Sequence, residues 1–252
     1  MLVEQTMEKL VAMKLSGMAE ALRRWMDQPK EKQLTPADVV GLLVDAEWYL
    51  REKRKLTARL RNARFRQEAC VEDIDYQHPR GLQKALVQDL AACRWVEAHQ
   101  NVIVTGKTGV GKSFIACALG QKACREGYSV VYRRASRLLD ELAQARGDGT
   151  LFQLLRRLAK TDVLVVDDFG MEVLNAAQRR DLLEVLEDRY GTTSTIIASQ
   201  LEPKDWHPVI NDETIADAVC DRLVHNAHKL KLVGESIRKL KADLTKGSKP
   251  AK

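Results

Sequence analysis

Two stretches of this 252-residue chain bring together residue types suited to phosphate chemistry. The first is Gly106-Lys107-Thr108-Gly109-Val110-Gly111-Lys112-Ser113, which fits the spacing G-x-x-x-x-G-K-[ST]. Glycines at these positions let the backbone curl until its N–H groups point at phosphate oxygens. A helix beginning just after them adds partial positive charge. Lys112 has the reach for β- and γ-phosphates, and Ser113 has the hydroxyl for Mg²⁺. The second stretch is Val163-Leu164-Val165-Val166-Asp167-Asp168. Here an apolar run ends in paired carboxylates. Asp167 is placed to hold Mg²⁺ through water, and Asp168 to orient or deprotonate an attacking water. Together the stretches predict binding and hydrolysis of ATP with Mg²⁺.

That chemistry needs strands and helices to position it. Asn101-Val102-Ile103-Val104-Thr105 reads as a short buried strand before the glycine loop, and Phe114 to Leu119 as the start of a helix after it. Val163–Val166 reads as a fully buried parallel strand, delivering its acids at the strand's C-terminal edge, where open α/β sheets bind ligands. Ser194-Thr195-Ile196-Ile197-Ala198-Ser199-Gln200 is a further buried strand with a polar end. If it lies beside the two motif strands, it brings Ser199 or Gln200 near a γ-phosphate. Ser129–Arg133 and Lys229–Val233 complete the strands. Helices are expected over 136–145, 151–158 and 175–190, and a shorter one around Leu82, Leu86 and Leu90. Trp95, just before the first strand, reads as a core residue. The expected fold is therefore α/β, a P-loop parallel sheet with flanking helices.

A small all-α domain precedes it. Met7, Leu10, Val11, Leu15, Met18, Leu22, Trp25 and Met26 recur at helical spacing and predict one amphipathic helix over 1–27. Thr35-Pro36-Ala37-Asp38 is a helix start, with a cap, a proline in the first turn and an acid. Between residues 51 and 66 the chain turns basic, with Arg51, Arg54, Lys55 and Arg59 on one helical face and only Glu52 to answer them. Such a face neutralises nucleic-acid phosphates. Arg133, Arg134 and Arg137, with Arg156 and Arg157, form a second candidate DNA surface. The acidic, irregular stretch 71–80 marks a boundary. It divides the chain into a helical N-terminal domain over 1–75, an ATPase domain over 76–243 and a disordered basic tail over 244–252.

The net charge of +6 and isoelectric point near 9.0 favour an anionic partner. The five cysteines, Cys70, Cys93, Cys117, Cys124 and Cys220, contain no C-x-x-C pair and read as free thiols in a reducing compartment. No apolar run reaches the ~18 residues of a membrane span, and Glu4 and Glu8 do not suit a signal peptide. A cytoplasmic protein without a membrane partner is expected.

From Leu10 to Lys239 the chain resembles the IstB-like helper ATPases of insertion-sequence transposons, in the DnaA/DnaC branch of the AAA+ superfamily. The resemblance rests on Leu15-Ser16-Gly17-Met18-Ala19, Asp167-Asp168-Phe169-Gly170, Asp188-Arg189-Tyr190-Gly191, Ser199-Gln200-Leu201, Asp221-Arg222-Leu223-Val224-His225-Asn226 and Gly234-Glu235-Ser236-Ile237-Arg238-Lys239. Two departures stand in the loop: Lys107 where the family usually carries proline, and Ser113 in place of the commoner threonine. The resemblance implies that Gln200, with Ser199, is a sensor of the γ-phosphate. It implies that Arg222 is an arginine finger reaching a neighbouring subunit's ATP, and that Arg238 is a second sensor. It also implies ATP-dependent self-association on duplex DNA, deformation of that DNA, and recruitment or regulation of a partner transposase. A replicative helicase loader of the DnaC type shares the core and is the nearest alternative. A small-molecule kinase is disfavoured because no acceptor-binding lid is evident. A module using ATP only as structural glue is disfavoured by Asp168.

Overall fold

The computed structural model describes residues 2–27 and 34–237. Arg238 and the tail 244–252 lie outside the described residues. The chain divides into two compact units, Met1–Ala58 and Arg59–Lys252. The division falls inside a long helix, ahead of the 75/76 boundary that the acidic stretch suggests.

The first unit holds α1 (Leu2–Ala12), α2 (Ser16–Asp27) and most of α3 (Pro36–Ala63). The single helix expected over 1–27 is two helices. The apolar periodicity continues across the join, but Lys14 takes a left-handed conformation, φ 60°, and breaks the hydrogen-bond ladder. Gly17 permits the close approach of α2 to α3, because a β-carbon there would meet the Ala46 carbonyl and the Glu47 backbone at 2.8 Å. The buried Glu47 carboxylate accepts from the Gly17 N–H at 2.7 Å and from the Met18 N–H at 3.3 Å, so α3 caps the start of α2. Thr35 and Asp38 cap α3 reciprocally: Asp38 N–H donates to Thr35 Oγ1 and Thr35 N–H to Asp38 Oδ2.

The second unit contains α4 (Lys84–Ala91), α5 (Arg94–Glu97), β1 (Asn101–Gly106), α6 (Lys112–Arg125), β2 (Val130–Arg134), α7 (Ala135–Gly147) and α8 (Leu151–Ala159). It continues with β3 (Val163–Phe169), α9 (Ala176–Arg189), β4 (Ser194–Ser199), α10 (His207–Ile210), α11 (Glu213–Val224) and β5 (Ala227–Leu232). The strands form one parallel sheet in the order β2-β3-β4-β1-β5. The β-branched runs of β1, β3 and β4 are buried on both faces, as a central parallel strand requires. At the β5 edge only alternate apolar residues, Leu230 and Leu232, are buried. Leucines of α7, α8 and α9 and the fully buried Trp206 pack one face of the sheet. The functional consequence is the order itself. β4 lies between the strand that leads into the glycine loop and the strand that carries the acids, with Ser199 beside both Thr105 and Phe169.

Candidate functional site

β1 ends at Gly106 and α6 begins at Lys112, so the glycine loop joins a buried strand to a helix N-terminus. Gly106 has φ 146°, and a side chain there would collide with the Leu232 carbonyl at the end of β5. Gly111 precedes α6 at φ 100°, with the Arg80 guanidinium where a β-carbon would stand. Both positions need glycine to keep the loop wrapped and its amides free of side chains. Lys112 is buried and folds back on the loop, its Nζ donating to the Lys107 carbonyl at 2.9 Å. Lys107 itself is exposed, and Val110 is buried beneath the loop. The loop borders a cavity of about 680 Å³, lined also by Arg66, Arg80, Arg134, Asp168 and Gln200.

The acids meet the loop from β3. Ser113 Oγ donates to Asp167 Oδ1 at 3.0 Å, and Asp167 is fully buried. Its other oxygen, Oδ2, accepts from the Tyr132 hydroxyl of β2 at 2.6 Å. β3 then departs from regular register between Val166 and Phe169. Asp168 adopts φ 57°, its N–H donating to Asp167 Oδ1 at 2.9 Å. This turn sends adjacent acids in different directions, Asp167 under Ser113 and Asp168 to the cavity wall. There its Oδ2 lies 3.5 Å from Arg66 Nη1 and 3.6 Å from Arg134 Nε.

Just past β4, Gln200 reaches the loop: its Oε1 accepts from Thr108 Oγ1 at 2.8 Å. Ser199 does not. It is fully buried, and its hydroxyl donates to the Phe169 carbonyl at 2.8 Å, binding β4 to β3. Ser199 is the last residue of β4 and faces β3, whereas Gln200 lies in the bend just beyond the strand.

Arg222 lies on α11, away from the cavity. Its guanidinium pairs with Glu187 of α9 and donates to the Ala218 carbonyl at 2.8 Å. The acids near it in sequence pair elsewhere, Asp217 with His207 and Asp221 with His225. Trp95 is a core residue, buried, with its indole N–H on the Leu90 carbonyl at 2.9 Å.

The expected nucleic-acid residues separate into groups. Arg51, Arg54 and Lys55 are exposed, yet each has a partner within the first unit: Glu47, Ser16 Oγ and Glu52 respectively. Counting acids only from residue 51 onward overlooked Glu47, one helical turn earlier. Arg59 is half-buried and donates to the Cys124 carbonyl near the end of α6, at 3.2 Å. Arg133 pairs with Glu141 at 2.8 Å and is only 13% exposed. Arg134 faces Asp168. Arg137 is 77% exposed and keeps a loose pair with Asp140 at 4.0 Å.

Three site residues escape a reading by motif: Tyr132, Arg66 and Arg80. Arg80 is buried, donating to the Val110 carbonyl at 3.2 Å and the Asp75 carbonyl at 2.8 Å, which braces the phosphate loop. Burial lowers its pKa. The one signal for Tyr132 and Arg134 is their alternation on β2, which puts both on one face of that strand.

A central β4 between a phosphate-loop strand and an acid-bearing strand, in a five-stranded parallel sheet, is the sheet order of an AAA+ type P-loop fold. Solved structures agree on the fold. AMPPCP-bound DnaA from Aquifex aeolicus matches 75% of this chain and 58% of its own at TM-score 0.57 and 17% identity. DnaI matches 66% of this chain and 91% of its own at TM-score 0.56 and 20% identity. Sequence narrows the class. The family model described as IstB-like ATP binding protein matches residues 8–245. A putative insertion sequence ATP-binding protein of Sinorhizobium fredii is 50% identical over 239 residues, covering 95% of this chain and 98% of that protein. The insertion sequence IS21 putative ATP-binding protein of Pseudomonas aeruginosa is 31% identical over 245 residues, covering 96% and 92%. The chain belongs to the IstB-like ATP-binding family.

Proposed function

We propose that this protein is a Mg²⁺-dependent ATPase that assembles on duplex DNA, remodels it, and recruits or regulates the transposase of an insertion sequence. The observation that carries the ATPase reading is the Ser113–Asp167 contact at the mouth of the phosphate loop, with Asp168 beside it. Mg²⁺ prefers hard oxygen ligands and keeps several waters. A serine hydroxyl suits direct ligation, and the carboxylate oxygen 3.0 Å from it suits a hold through water, with phosphate oxygens completing the shell. Bound Mg²⁺ would neutralise charge developing on the phosphates. Lys112 would leave the Lys107 carbonyl for the β- and γ-phosphates. Gln200 would sense the γ-phosphate, and Asp168 would position water once Arg66 and Arg134 release it.

Arg222 is proposed to complete a neighbour's site in trans, which makes hydrolysis depend on assembly. Arg238 is proposed as a second sensor. For DNA contact, Arg51, Arg54, Lys55 and Arg137 remain the candidates, because their charged groups are exposed; Lys55 and Arg137 can exchange weak surface pairs for phosphates, whereas Arg51 would give up the buried Glu47. For Arg59, Arg133 and Arg134 the intramolecular contacts described above favour roles within the protein over DNA contact. The unit 1–58, continued by the end of α3, is proposed to serve assembly and DNA binding in the cytoplasm. No helix among the described residues is long and apolar enough to cross a membrane. The insertion-sequence names of relatives aligned over nearly the whole chain favour this reading over a helicase loader.

Asp168→Asn tests it. The variant should bind ATP and accumulate ATP-bound oligomer on duplex DNA while releasing phosphate slowly. A variant that neither accumulates oligomer nor slows hydrolysis removes Asp168 from this role.

A further inference from the structure

β2 carries neither phosphate motif, yet it supplies a partner to the buried metal acid. Tyr132 sits beside Val165 in the parallel pairing of β2 with β3, two residues before Asp167. Its hydroxyl reaches Asp167 Oδ2 at 2.6 Å, a length typical of a charge-assisted O–H···O⁻ bond. The other oxygen, Oδ1, serves Ser113 Oγ and the Asp168 N–H. The two oxygens therefore have separate tasks, one facing β2 and one facing the phosphate loop. An aspartate's terminal torsion is broad and roughly two-fold, so packing alone fixes it poorly. A donor anchored on Oδ2 fixes it.

Tyr132 is itself held. It is 6% exposed, and its ring lies 6.4 Å from that of Phe65 in a tilted contact. Phe65 in turn abuts Gly120 of α6.

We propose that Tyr132 is a positioning residue for the divalent cation: its hydroxyl orients Asp167 so that Oδ1 and Ser113 Oγ face Mg²⁺ arriving with a nucleoside triphosphate. This rests on the reading of the loop as an ATP–Mg²⁺ site. Groups that orient a metal ligand typically matter by about 10–100-fold in metal affinity. Tyr132→Phe keeps the ring and removes one oxygen, and it leaves every direct ligand in place.

The test is the affinity of a fluorescent ATP analogue, titrated with Mg²⁺ and repeated in EDTA, for the full chain. Tyr132→Phe should bind the analogue in EDTA as the wild type does. It should need about 10-fold or more Mg²⁺ to reach half of the Mg²⁺-dependent gain. Phe65→Leu loosens the ring packing but keeps the hydroxyl, and it should leave the Mg²⁺ requirement unchanged. Equal Mg²⁺ requirements for Tyr132→Phe and wild type overturn the proposal. So does a shift in Phe65→Leu as large as that in Tyr132→Phe, because packing would then be the cause. Ser113→Ala separates this failure from a failure of the site itself. If the wild type gains nothing from Mg²⁺, or Ser113→Ala keeps the full gain, the ATP–Mg²⁺ reading is at fault.

Discussion

Replacing Arg222 with alanine should abolish most turnover while costing the fold little, and the two effects can be sized separately. Within one protomer Arg222 pairs with Glu187, donates to the Ala218 carbonyl, and is 22% exposed. A partly exposed ion pair contributes about 0.2–1 kcal/mol, and a hydrogen bond from a charged donor about 1.5 kcal/mol at the low end of its range. The local loss is then about 1.7–2.5 kcal/mol. At roughly 2–4 °C per kcal/mol for a chain of this size, the melting temperature should fall by about 3–10 °C. An arginine that stabilises a neighbour's transition state is worth about 10³–10⁵ in kcat, or roughly 4–7 kcal/mol of barrier. The assay is DNA-stimulated phosphate release, measured well below either melting transition. Arg222→Ala should bind ATP as the wild type does and lose about 10³-fold in turnover. Glu187→Gln removes the local pair but keeps the guanidinium, and it should retain turnover within about threefold. Mixing Arg222→Ala, which has an intact ATP site, with Lys112→Ala, which has an intact arginine, should restore part of the activity. Turnover preserved in Arg222→Ala, or lost equally in Glu187→Gln, would confine Arg222 to a structural strut.

Further outcomes follow from other contacts. Arg189 is buried and donates to the Thr161 carbonyl at 2.9 Å, to the Leu158 and Ser194 carbonyls, and to Thr195 Oγ1 at 3.2 Å. Burial lowers its pKa to about 9. Arg189→Met leaves three carbonyls between α8 and β4 without that donor and should cost about 3 kcal/mol or more in urea denaturation, whereas a loss below about 1 kcal/mol would show that the guanidinium is dispensable. Arg134→Ala should change phosphate release without a matching change in DNA affinity. Arg137→Ala should weaken DNA binding and reduce its salt slope by about 1 in fluorescence anisotropy, and equal DNA losses from the two would return Arg134 to the DNA surface. Burial pushes the Cys93 and Cys117 thiols up to about 11 and the Cys124 thiol up to about 12. At pH 8 a thiol reagent should therefore label the half-buried Cys70 and Cys220 first by mass spectrometry, and early labelling of Cys117 would contradict the packing of α6.

The motif-bearing strands were legible because their constraints are local. A glycine loop between an apolar run and a helix start leaves few arrangements, and paired acids after a β-branched run belong at a strand's C-terminal edge. Gln200 was legible for the same reason, since the end of β4 falls between those strands. Tyr132, Arg66 and Arg80 were not, because each acts across tertiary contacts between segments far apart in the chain. The division of labour between Ser199 and Gln200 needed the point where β4 ends, which falls between them. The turn at Lys14 was hidden by apolar spacing that continues from α1 into α2. The partners of the basic face on α3 were not legible, because an arginine's partner can be a carbonyl, as for Arg59, or a carboxylate one turn upstream, as for Arg51. A count of nearby acids does not register either.

The central claim is that ATP, bound at Gly106–Ser113, drives this protein to assemble on duplex DNA. Single-particle imaging of the full chain with a short duplex, in Mg²⁺ with ATP, with ADP and without nucleotide, tests it most directly. The account predicts multi-subunit assemblies along the duplex with ATP, their loss with ADP, and their absence in Lys112→Ala under all three conditions. Assemblies that form equally well without nucleotide, or in Lys112→Ala with ATP, would contradict it.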